Sequence, residues 1–149
     1  MLIKTHLIIC VFFILLFLPV VNHDLVFIIV ALIATYLPDV DSRFSTIGHR
    51  KIARVLQWFT RHRGMIHSFT FLLVVTLFLV LFFPVVSFGF FLGYGLHLFA
   101  DSFTREGIRL FYPLKNKSCG RIRTGSRIET GIFVVFLMAS ICLLLNMLF

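Results

Sequence analysis

The order of apolar and polar positions divides the chain into long uncharged runs separated by shorter charged ones. Leu7 to Val21 (LIICVFFILLFLPVV) contains no charged residue, and neither does Leu25 to Leu37. Ser68 to Ala100 is apolar apart from His97 and small polar residues, and Thr130 to Phe149 is again uncharged. A helix needs about 20 largely apolar residues to cross a bilayer. The run from Ser68 to Ala100 is too long for one such helix, and Pro84, Ser87 and Gly89 mark a turn inside it. The pattern predicts five hydrophobic segments, near 3–21, 24–38, 67–84, 88–104 and 130–149. The fold class is therefore all-α: a multi-pass helical membrane protein, with 1–149 as a single domain. The second segment is short for a full crossing, which leaves a re-entrant path open for it. Lys4 followed by an apolar run resembles a signal peptide, but Val20-Val21-Asn22 offers no small-residue cleavage site, so the first segment is expected to be retained.

One polar stretch has a helical pattern of its own. Within 46–61, Ile52, Val55, Leu56 and Phe59 recur at i, i+3, i+4 and i+7, while Arg50, Lys51, Arg54 and Arg61 occupy other faces. With Trp58 at headgroup level, this predicts a basic amphipathic helix lying on the cytoplasmic membrane face.

Composition agrees and removes alternatives. Of 149 residues, 60% are hydrophobic and 13% charged, with 20 phenylalanines. Soluble domains average about 45–50% apolar and about 25% charged. A disordered chain and a water-soluble enzyme are both excluded. Against 6 acidic residues stand 14 Lys and Arg, a net charge of +8. Lys4 precedes the first segment; Arg43, Arg50, Lys51, Arg54, Arg61 and Arg63 lie between the second and third. Arg105, Arg109, Lys115, Lys117, Arg121, Arg123 and Arg127 lie between the fourth and fifth. Five crossings place every one on a single side, which the positive-inside rule makes cytoplasmic, with the amino end inside. That accounts for the charge without nucleic acid, and no direct nucleic-acid partner is expected. Cys10 and Cys142 fall in hydrophobic segments and Cys119 in a loop, with no C-x-x-C spacing, so neither a disulfide framework nor a thiolate zinc site is indicated.

Ionisable groups at the ends and interiors of spans are costly and mark candidate functional sites. Here they gather on the cytoplasmic side. His6 starts the first span, Asp39 and Asp41 follow the second in Leu37-Pro38-Asp39-Val40-Asp41, and His62 and His67 precede the third. His97 and Asp101 close the fourth, and Glu129 opens the fifth. Singly each has an ordinary explanation: a turn aspartate, a histidine reaching the headgroups, or a capping box of Ser126 with Glu129. Jointly they form a pattern. His97 and Asp101, four apart, share a helix face. Asp39 and Asp41 point the same way if the stretch after Pro38 is extended, and Gly64 provides a turn that lets His62 and His67 converge. Imidazoles with carboxylates and no thiolate suit a divalent catalytic ion: zinc first, manganese or iron as alternatives, one or more ions. Paired ions clamp the attacking and leaving oxygens of a phosphoryl displacement.

These motifs resemble the YdjM-like, LexA-binding, inner-membrane-associated metal-dependent hydrolase family over nearly the whole chain. The resemblance rests on Thr5-His6, Leu37-Pro38-Asp39-Val40-Asp41, Gly48-His49-Arg50, His62-Arg63-Gly64 with His67-Ser68, Gly93-Tyr94 with His97 and Asp101, Thr104 to Pro113, and Thr124-Gly125-Ser126 with Glu129. Ile66 stands where the family usually has threonine, which removes one hydrogen-bonding side chain beside the third motif. The resemblance implies a multi-pass membrane protein with hydrolytic activity and no assigned substrate. The motif order is also loosely similar to that of the zinc-dependent phospholipase C and single-strand nuclease group.

The expected function is metal-assisted hydrolysis at the cytoplasmic face. His6, Asp39, Asp41, His62, His67, His97 and Asp101 are the candidate metal ligands. Asp41 or Glu129 is the candidate general base, and Arg63 the candidate stabiliser of developing negative charge. Besides the lipid bilayer, the expected partner is a lipid-linked or phosphorylated small-molecule substrate. The alternative is a non-enzymatic membrane anchor that recruits a cytosolic protein partner; it predicts that His62, His67, His97 and Asp101 are scattered in space.

Overall fold

The computed structural model describes residues 1–44, 65–114 and 116–149, and the side chains of all of these except 40–44. Five helices carry the described chain: α1 (Ile3–Phe17), α2 (Asp24–Phe44), α3 (Phe69–Phe82), α4 (Pro84–Ser102) and α5 (Arg127–Leu148). No strand occurs among the described residues. Three of the helical stretches are long and apolar enough to cross a membrane: Ile3–Val20, Pro84–Ser102 and Arg127–Leu148. The apolar α3 is shorter, at 14 residues.

Local chemistry fixes the ends. Pro19 closes α1 through a 3-10 turn at Leu18–Val20. Asp24 lies in the first turn of α2, where a negative charge complements the helix dipole. The Ser68 hydroxyl caps α3 by accepting from Phe71 N at 3.2 Å. Pro84 starts α4, a position where its missing N–H costs nothing. The turn expected over 84–89 is therefore tighter and earlier: it lies at Phe83, and Ser87 and Gly89 are inside α4. The stretch after Pro38 also differs from expectation. It is not extended; α2 continues through Pro38 to Phe44. Positions two apart in a helix lie about 200° around its axis, so Asp39 and Asp41 do not share a face. Glycine supplies an earlier and closer contact than any turn.

Gly89, Gly93, His97 and Asp101 recur every fourth residue along α4, and Phe27, Ala31, Thr35 and Asp39 do the same along α2. The two stripes face each other in parallel register. A side-chain carbon added at Gly93 would lie 2.0 Å from the Ala31 carbonyl oxygen, and one at Gly89 would lie 3.0 Å from that of Phe27. Small residues at such spacing let helix backbones touch in a bilayer, where packing rather than water exclusion drives association. α1 joins the seam through Cys10, whose thiol lies 3.7 Å from Ala31 O. Cys10, Ile14, Phe27, Ala31 and Leu92 form one buried cluster. A second, of Ala34, Leu72, Phe90, Tyr94, Leu98 and Ile108, joins α3 to α2 and α4.

The starts of α1, α3 and α5 and the ends of α2 and α4 thus lie at one end of the bundle. The connection from α4 to α5 folds over this end. Ile108 and Ser118 exchange backbone hydrogen bonds at 3.1 and 2.9 Å, and Thr104 pairs with Ile122 in a parallel bridge. Gly107, at φ 56°, makes the first pairing feasible; any side chain there would run into the Ser118 carbonyl. The amphipathic helix expected over 46–61 lies outside the described residues.

Candidate metal centre

Four helices each deliver donors to the end of the α2–α4 seam. His97 and Asp101 arrive one turn apart on α4, Asp39 from α2, His6 from the first turn of α1, and His67 immediately ahead of the Ser68 cap of α3. His6, His67, His97 and Asp101 are buried; Asp39 is the most open, its side chain 32% exposed against 9% for Asp101. The donor atoms of His6, His97 and Asp101 lie within 4.8 Å of one another, as do those of Asp39, His67 and His97. His97 belongs to both triads.

The hydrogen bonding of His97 settles which of its nitrogens is available. Nδ1 lies 2.9 Å from the Thr35 carbonyl, which only accepts, so Nδ1 carries the proton. In the neutral ring Nε2 therefore presents its lone pair. That lone pair faces Asp101 Oδ2 at 3.6 Å and Asp39 Oδ1 at 3.8 Å and has no hydrogen-bond partner among the described residues. The two carboxylates belong to different triads that share His97, and in each a nitrogen lone pair beside a carboxylate oxygen favours a cation or a proton between them. The His6 ring stacks on His97 at 4.0 Å between centroids and 11° between planes. Its Nε2 approaches Asp101 Oδ1 at 3.2 Å without hydrogen-bond alignment, and both of its ring nitrogens are buried and unpaired. The His67 ring stands edge-on to His97 at 6.0 Å. Asp101 Oδ1 also receives the Met1 ammonium at 2.6 Å, so this carboxylate already attracts a cationic group. The donor set, imidazoles with carboxylates beside them and no thiolate, fits a divalent ion of the zinc, manganese or iron type.

Glu129 is near this cluster and differently occupied. It follows Ser126 as a capping box predicts, and its backbone N–H donates to Ser126 Oγ at 3.4 Å. Its carboxylate does not complete the box by turning back to the Ser126 backbone. Oε1 accepts from Leu2 N at 2.6 Å and from Thr5 Oγ1 at 3.1 Å, and Oε2 accepts from Gly125 N at 2.5 Å. The side chain clasps the start of α1 to the start of α5, one residue before His6. Of the other expected site residues, His62 and Arg63 lie outside the described residues, and Asp41 is described only as backbone within α2.

The roles of two supporting residues escaped sequence reading. Thr35 lends its carbonyl to His97 and its hydroxyl to Ala31 O at 2.8 Å. Tyr94 donates to the carbonyl of Ile66 at 2.7 Å, holding the segment that carries His67. The four-residue spacing of Thr35 from Asp39 was the one available signal for the first; the second stood in the Gly93-Tyr94 motif, which gave no hint of its backbone partner.

The sequence matches a family model along almost its whole length. The chain belongs to the YdjM inner membrane protein family. The match covers residues 1–148. No curated protein and no solved structure matches the chain. Membership makes it an inner membrane protein, in agreement with its apolar helices.

Proposed function

We propose that this family member is a metal-dependent hydrolase whose site opens at the cytoplasmic face of the inner membrane, with five crossings and a phosphoester or lipid-linked substrate. The observation that carries the reading is the buried, unpaired Nε2 of His97 facing two carboxylates. A membrane anchor has no need of such a gathering of buried ionisable groups, which are costly at membrane depth.

His6, His97 and Asp101, and His67, His97 and Asp39, would hold one or more ions, with His62 as a further ligand from the chain ahead of His67. When bound, a divalent ion supplies Lewis acidity to a phosphoryl or acyl oxygen and lowers the pKa of water. The residues do the rest. Thr35 holds the His97 tautomer, in the way that carbonyl partners of ligating histidines usually do. Asp39, the most open donor, marks the side from which substrate enters. Arg63 stabilises anionic charge in this reading. Glu129, with its oxygens engaged by three donors, positions His6 rather than accepting a proton.

Metal analysis of the protein purified in detergent tests the reading, beside a His97→Ala/Asp101→Ala double variant. The expected result is stoichiometric transition metal in the parent and background metal in the variant, followed by metal-dependent turnover in a screen of phosphoesters and phospholipids. A metal-free parent under metal-replete conditions sinks the proposal. A reporter fused within 42–61 that reads extracytoplasmic overturns the orientation.

A further inference from the structure

The basic residues between α4 and α5 need no tertiary structure to set topology; charge alone suffices for that. Yet here they are mounted on a folded platform. The Ile108–Ser118 pairing and the buried Ile108 side chain fix its base. Two more bonds tie it to the metal cluster. Thr104 Oγ1 donates to the Asp101 carbonyl at 2.7 Å, and Phe69 N, two residues after His67, donates to Leu110 O at 2.8 Å. On this platform lies a groove of about 350 Å³ lined by Leu110, Phe111, Leu114, Asn116, Lys117 and Ser118. Phe111 and Leu114 are more than half exposed. Lys117 and Arg109 sit immediately inside the Ile108–Ser118 pair, one on each arm, and both are exposed with no ion pair recorded among the described residues.

We propose that this groove binds the headgroup end of an anionic phospholipid. Its apolar floor matches the first carbons of an acyl chain, Lys117 in its lining matches the phosphate, and Arg109, on the other arm beside the Ile108–Ser118 pair, adds a second positive charge at its edge. A soluble phosphate would use the cations and leave Phe111 and Leu114 facing water, which is why the lipid is the better occupant. The tie to Leu110 sets the bound headgroup beside the segment that carries His67. The inference goes beyond the hydrolase reading and does not depend on it.

Native mass spectrometry of the full chain in uncharged detergent, titrated with phosphatidylglycerol, phosphatidylcholine or inorganic phosphate, tests it. Phosphatidylglycerol should bind in preference to phosphatidylcholine. An Arg109→Gln/Lys117→Gln variant should bind it about thirtyfold more weakly, at roughly 1 kcal/mol for each basic residue. A single Lys117→Glu reversal provides a second reading should the double variant fold poorly. Equal affinity for the two lipids, unchanged affinity in both variants, or full displacement of lipid by equimolar phosphate would each overturn the proposal. Metal content measured on the same samples separates the two readings: lipid preference without metal sinks the hydrolase and leaves the lipid site standing.

Discussion

α4 and α5 are both long enough to cross a membrane, and they have opposite relations to the rest of the protein. α5 is the more apolar, with a mean hydropathy of 2.5 against 1.2, yet only 6% of it is buried inside the protein, against 56% of α4. In a water-soluble protein the order would be reversed. In lipid, leucine and valine gain nothing by leaving the tails, so the interior goes to residues that let backbones approach or that need polar partners. α4 carries Gly89, Gly93, His97 and Asp101 on one stripe and became the hub; among the described helices α5 packs mainly against α1 and shows Val135, Met138 and Leu145 to the outside. The less hydrophobic span is the one that carries the buried donors.

The sharpest way to break this contrast is to remove the donor that both triads share. His97→Ala should abolish stoichiometric metal, while His67→Ala, which touches one triad, should weaken metal binding and leave some occupancy; elemental analysis distinguishes them. If His97→Ala retains full metal, the seam does not lead to a metal centre. Next in size is backbone approach. Gly93→Leu must push α2 from α4 and should cost about 3 kcal/mol or more, since overpacking of this kind is not relieved by rotamer change. Gly131→Leu on α5, where an added carbon meets nothing within 4 Å, should stay within about 0.5 kcal/mol. Thermal unfolding in detergent compares the two, and equal losses would mean that α5 is packed after all.

Smaller effects sharpen the picture at the helix starts. Glu129→Gln sets an amide N–H against the Gly125 N–H and should cost about 1–3 kcal/mol. It should also loosen metal by about tenfold through His6, as supporting groups of ligands commonly do. Loss of hydrolysis at unchanged metal affinity would instead return Glu129 to the reacting groups. At the bottom of the scale, Val135→Ala on the outer face of α5 should shift stability by less than about 0.5 kcal/mol. Leu98→Ala in the buried cluster should cost about 2–5 kcal/mol through the cavity it leaves.

Much of this arrangement was legible in the chain. Each of the five hydrophobic runs contains a helix, because a long uncharged run has no competing way to satisfy its backbone in lipid. His97 and Asp101 were paired by helical spacing alone. The reading failed where proline and glycine were taken as breakers. Pro38 is carried inside a helix, and Gly89 serves helix contact instead of a turn, because neighbouring helices in a tight bundle outweigh the local preference. Glu129 was half legible: Ser126 predicted its cap, but nothing local could reveal that its carboxylate reaches Leu2 and Thr5, more than a hundred residues earlier.

Sequence by itself determined that this protein lives in a membrane, which stretches are helical, and that its few carboxylates and histidines are exceptions demanding a reason. Composition and period decide those matters, since each rests on one residue and its near neighbours. Only the tertiary structure decided which exceptions meet. His6, Asp39 and the α4 pair come from three helices and His67 from the turn ahead of a fourth, and their meeting depends on Gly93 letting two backbones touch at Ala31. That contact is a property of two surfaces at once, and no single stretch of chain encodes it.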